Sequence, residues 1–237
     1  MNMDASQTTA AAKLNRVEPT LSTDINANRA LGVRLARVAW MAVLLGISLE
    51  LVLLLVKTLA GQSTGSAVIA AGLAQKVSWS LIVCVGVAAG QNVSRALQPL
   101  AAGAAGLVAS PLAFAAAKGV HMAVSSALQI AVPAAGHAAP SPWVIAIVKG
   151  IEFALLGTLL AWFVTKSWAG FGTYAASGLV TGTVFGTALV VYVYLASDPR
   201  PAAMAIVAQT LNEVIYPVGC ASVIYCTSKL GKQFAVA

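Results

Sequence analysis

Residues 38–60 read VAWMAVLLGISLELVLLLVKTLA, an apolar run of 23 residues with one acidic residue, Glu50, at its middle. At about 1.5 Å of helical rise per residue the run is long enough to cross the roughly 30 Å hydrocarbon core of a bilayer. It starts too late and is too long for the apolar region of a cleavable secretory signal, which spans about 7–15 residues. A transmembrane helix is therefore expected, with Arg34, Arg37 and Trp40 at its entrance.

Five further runs of similar character follow, at about 66–90, 97–117, 142–164, 171–195 and 203–225. Across all 237 residues, 59% are hydrophobic and 9% are charged, against roughly 25% charged in soluble domains. The expected fold is an all-α polytopic membrane protein of six transmembrane helices. It has a polar tail over 1–37, irregular up to about Asn28, and a single transmembrane domain over 38–229. The segment 118–141 between spans three and four is expected to hold an extra short helix, interfacial or re-entrant on the outer side. It is apolar enough to insert but short, and it carries His121, Ser125, Ser126 and Gln129.

Charge bias sets the orientation. Six spans with the N-terminus inside place Lys13, Arg16, Arg29, Arg34 and Arg37 on the cytoplasmic side, with Arg95, Lys166, Lys229 and Lys232. Lys57, Lys118 and Arg200 fall outside, and Lys76 and Lys149 lie within spans. Nine cations against three obeys the positive-inside rule better than seven spans would, where the balance is seven against five. The formal net charge of +7 thus reads as topology. A nucleic-acid partner is not expected, since no aromatic residues interleave the basic ones. The expected location is a bacterial-type inner (plasma) membrane.

Three glutamates, Glu50, Glu152 and Glu213, each lie one residue from the centre of a span. A mid-membrane carboxylate costs several kcal/mol and by default marks a functional site. Lys76 and Lys149 share their depth, and Lys149 precedes Glu152 by three residues on one helix face. Glu50 is a candidate to face Lys76 across helices. The five residues sum to a formal charge of −1. Buried charges must pair or neutralise, and a carboxylate that can be emptied and refilled suits a proton- or cation-coupled carrier. The competing reading is a static set of ion pairs holding helices together.

Span six adds Gln209, Glu213, Tyr216 and Cys220 at i, i+4, i+7 and i+11, with Asn212 alongside. Pro217 frees the Glu213 carbonyl, for a cation or as a packing kink. Span five carries Gly178, Gly182 and Gly186 at four-residue intervals, a ridge for close helix packing. Ser177, Thr181, Thr183 and Thr187 offer hydroxyls to a pathway, or bond their own helix. Cys84, Cys220 and Cys226 fall inside apolar spans without metal-ligand spacing, and no cofactor or metal is expected.

Glu50 recurs as Glu152, Arg95 as Arg200 and Pro111 as Pro217, at offsets of 102, 105 and 106 residues. Two tandem units of three spans would give this, the second inverted, with a solute site at the midplane where the units meet. Chance alignment of apolar segments gives similar offsets. The expected function is a transporter or channel for a small polar solute or cation, proton-coupled through the buried carboxylates. The alternative is a non-transporting structural or assembly subunit of a larger membrane complex. The partners expected are the bilayer, the solute, and further copies or membrane subunits. Nothing in the sequence assembles an enzyme's nucleophile–base pair, phosphate loop or histidine-rich metal set, so no enzymatic activity is expected.

Overall fold

The computed structural model describes the backbone of residues 5–93, 96–130, 140–166 and 169–233, and the side chains within 28–93, 96–130, 140–166 and 169–229. Six helices make up the described chain: α1 Ala5–Leu59, α2 Ser66–Gly90, α3 Gln98–Ala127, α4 Pro142–Val164, α5 Phe171–Ala196 and α6 Ala203–Gln233. Without water to satisfy them, peptide groups in an apolar run bond within their own helix, and this makes each run helical. Prolines sit in the first turns of α3 and α4, where the missing N–H costs nothing.

Two elements differ from the sequence reading. The helix of the first span extends back to Ala5 instead of starting near Asn28. Residues added to an existing helix do not pay the nucleation cost again, and the segment is rich in alanine. The separate short helix expected after span three is corrected: among the described residues, Lys118–Ala127 is helical as a continuation of α3. Gly119 costs only about 1 kcal/mol in a helix and does not break it. The turn comes at Gln129, whose φ is 52°. Residues 131–139, including His137, lie outside the described residues, as do Ser94, Arg95, Trp168 and the side chains of the N-terminal tail before Asn28.

The helices close into a ring in chain order, α1 packing on α2 and so on around to α6, which returns to α1; α2, α4 and α6 also touch across the centre. Arg34 donates to Asn92 at 2.7 Å and to Gln91 at 3.3 Å, pinning the α1 entrance to the end of α2. On the same face Tyr174 of α5 packs against Phe163 of α4 and Tyr225 of α6. We call this the Arg34 face and the opposite end of the bundle the Lys57 face.

The surface is inverted relative to a water-soluble protein. Leu44, Leu51, Leu55, Leu100, Ile147 and Val184 are exposed, whereas Glu50, Lys149, Glu152 and Glu213 are buried. Trp40 and Trp143 are 71% and 77% exposed on the outside of the bundle, as interfacial anchors require. Among the described residues, five helices, all but α6, contain segments long and apolar enough to cross a membrane. The chain is accordingly a helical protein suited to membrane integration. α6 has sufficient length, but Gln209, Asn212 and Glu213 interrupt its apolar run.

Small residues let these helices approach. A β-carbon at Gly106 of α3 would overlap the Phe153 carbonyl of α4. Gly178 and Gly182 of α5 seat Pro217 of α6, and Gly186 seats the β-carbon of Glu213, which would lie 2.7 Å from an added one. The α3–α4 contact, with Gly103, Gly106 and Gly157, is as close as the α5–α6 ridge, yet its glycines lack the regular four-residue spacing.

Candidate functional site

On the Lys57 face the helices enclose a cavity of about 390 Å³, formed by α1, α2, α3, α4 and α6. α5 contributes no lining residue. Its polar wall holds Lys57, Gln75, Lys76, Lys149, Gln209 and Asn212, with Glu213 and Tyr216 at the α6 side. Trp79 and Phe114 form an apolar wall, their rings edge to face at 6.3 Å. Trp79 also meets Tyr216 at 6.0 Å and Phe153 at 6.4 Å. This aromatic cluster separates the cavity from the packed core below it.

Two ion-pair systems border the cavity. Lys76 Nζ lies 2.7 Å from Glu50 Oε2, joining α2 to α1. The pair is within Coulombic range but outside hydrogen-bond geometry, since that oxygen makes no hydrogen bond. Glu50 fits there because Gly72 has no side chain: a β-carbon at 72 would lie 2.7 Å from Glu50 Oε1. Lys149 is shared. It donates to Glu152 Oε2 at 2.7 Å on its own helix and forms an ion pair with Glu213 across to α6. The Glu213 contact is a close ion pair between α4 and α6. Glu152 is completely buried, and its Oε1 has no hydrogen-bond partner among the described residues.

The sequence candidates thus separate into two layers. Glu213, Lys76, Lys149, Gln209, Asn212 and Tyr216 reach the cavity wall. Glu50 and Glu152 stand behind the lysines as counter-ions. Tyr216 donates its hydroxyl to the Lys76 carbonyl at 3.3 Å, which ties α6 to α2 at the cavity floor. The Glu213 carbonyl freed by Pro217 faces Gly182, where a β-carbon would lie 3.0 Å from it. That is the α5 side, so the geometry is that of a packing kink. Thr181 and Ser177 bond carbonyls of their own helix, and Thr183 and Thr187 are exposed on the outer surface. None of these hydroxyls lines the cavity.

Lys57, Gln75, Trp79 and Phe114 were not among the sequence candidates. Helical spacing carried a signal for two of them. Lys57 follows Glu50 by seven residues on one face of α1, and Trp79 follows Lys76 by three on α2. Lys57 alters the electrostatic picture: with it the wall and its counter-ions hold three ammonium groups and three carboxylates, and the formal surplus of negative charge disappears.

Beneath the aromatic cluster the interior is apolar and close-packed. Leu49, Val83, Cys84, Leu156, Leu160 and Ile224 are all essentially inaccessible. The cavity therefore lies in the Lys57-face half, with packed core between it and the Arg34 face. Compared with protein-family models, curated proteins and solved structures, the chain matches none.

Proposed function

We propose that this protein is a six-span membrane transporter that carries a small polar solute through the Lys57-face cavity. One observation carries the reading: a polar cavity descends to buried charges at the middle of the helices and ends on an apolar, packed layer. Such one-sided access is what a carrier caught between its two faces requires. Static ion pairing needs no cavity beside the charges, and helix-to-helix polar contacts average well under about 1–2 kcal/mol. The third central helix, α6, counts as the sixth span because its polar residues turn into the bundle. The charge bias then places the Arg34 face in the cytoplasm.

The 3+3 repeat is part of this proposal, with a local correspondence in its favour. Pro111 in α3 and Pro217 in α6 each free a carbonyl that packs against a glycine of a neighbouring helix. A β-carbon at Gly150 would lie 3.2 Å from the Leu107 oxygen, and one at Gly182 3.0 Å from the Glu213 oxygen. Strict two-fold symmetry does not extend to the centre, where α2 touches α6 while their counterparts α5 and α3 do not touch.

The test is uptake by proteoliposomes of a panel of small solutes, anionic, neutral and cationic, with a pH gradient imposed or absent. The proposal expects uptake above protein-free vesicles, dependence on the gradient, and loss of uptake in a folded Glu213→Gln variant. No uptake of any solute, or unchanged uptake in Glu213→Gln, would instead favour an assembly subunit whose charges only join helices.

A further inference from the structure

We infer that the cavity selects a small organic anion, a carboxylate attached to an apolar group, rather than a cation. The inference rests on the transport site proposed above and names its ligand class.

Each of the three carboxylates already has an ammonium neighbour. Lys76 occupies Glu50, and Lys149 occupies both Glu152 and Glu213. Of the three glutamates only Glu213 lines the cavity, while all three lysines do. A cation entering the cavity would lie beside Lys57, Lys76 and Lys149, among like charges. An anion leaves every pair intact. An ammonium group has three donors, and Lys76 meets Glu50 as an ion pair without a directed hydrogen bond. Lys57 makes no ion pair among the described residues and extends from the α1 side of the same wall.

The neutral groups agree with this assignment. The side-chain amides of Gln75, Gln209 and Asn212 line the cavity and have no hydrogen-bond partner among the described residues. Amide N–H groups beside ammonium groups complete a donor-rich site for carboxylate oxygens. Trp79 and Phe114 supply the opposite wall, suited to an apolar or planar group. Lys118 and Arg200 are exposed on the Lys57 face with Asp198, and a face with net positive charge raises the local concentration of anions near it.

Benzoate, benzamide and benzylamine share one ring and differ in charge, so they separate the possibilities. The measurement is scintillation-proximity binding of labelled benzoate to the purified full-length protein in detergent, with the other two as competitors. Saturable benzoate binding is expected, with benzamide competing weakly and benzylamine not at all. Lys57→Gln is expected to weaken binding by about tenfold or more, the scale of a charge-assisted contact. It orphans no carboxylate, so its thermal unfolding should match the wild type. Asn212→Leu gives an independent second reading, with reduced binding expected. Absence of benzoate binding, competition by benzylamine equal to that by unlabelled benzoate, or full binding in both variants would overturn the inference. Because binding is read without vesicles, its failure is distinct from a failure of transport: uptake of cations with no benzoate binding would keep the carrier and discard the anion.

Discussion

The two halves of this bundle are built from the same six helices and treat charge in opposite ways. In the Arg34-face half, aromatic rings and aliphatic side chains fill the interior, and the polar contacts of Arg34 with Gln91 and Asn92 lie at the edge. In the Lys57-face half, lysines, a glutamate and amides face a cavity at the centre. The difference follows from side-chain volume and charge. Glycines in α3, α4 and α5 bring backbones together, whereas Lys76 and Lys149 join helices through ion pairs beside a cavity that Lys57 also lines. Packing alone does not account for a half built in this way.

The largest expected effect comes from the residue joining the two layers. Lys149→Leu leaves the fully buried Glu152 and the neighbouring Glu213 without their shared counter-ion. A loss of about 3–5 kcal/mol in stability is expected, measurable by denaturant unfolding in micelles. Adding Glu152→Gln and Glu213→Gln should recover most of the stability and none of the uptake. Recovery of both would reduce the charges to helix glue and erase the functional contrast between the halves.

A smaller effect tests the packed region. Gly106→Ala drives a methyl group into the Phe153 carbonyl, and such overpacking costs about 1–3 kcal/mol. Gly119→Ala, near the Lys57 end of the same helix, meets nothing within 4 Å and should be neutral or stabilising. Equal melting temperatures for the two variants would contradict the difference in packing. The smallest effect on stability is expected for Asn212→Leu, within about 0.5 kcal/mol, because its amide has no protein partner to lose among the described residues. Proteoliposome uptake should nonetheless fall sharply, separating the cavity's role from the fold's.

Much of this could be read from the sequence, for identifiable reasons. Helix positions follow from continuous apolar runs, so α2 and α4 begin and end where the runs do. Runs blurred by alanine misled: nothing in Lys118–Ala127 separates a new helix from a continuing one. The Lys149–Glu152 pair was legible because i,i+3 spacing puts both side chains on one helix face. The third member, Glu213, depends on how α6 lies against α4, which no local spacing encodes. Lys57 was assigned to the outer rim by its place near the end of an apolar run. The structure turns its side chain to the cavity wall, and this changes the balance of charge on which any choice of solute depends.

The contrast between the halves is tested most directly by chemical accessibility. With the native cysteines replaced by alanine, Gln209→Cys and Ile224→Cys place one thiol in the cavity and one in the packed half of the same helix. In sealed, uniformly oriented vesicles, a membrane-impermeant maleimide should label Gln209→Cys from the Lys57 side and leave Ile224→Cys unmodified. Labelling of Ile224→Cys as fast as Gln209→Cys, or no labelling of either, would contradict the account.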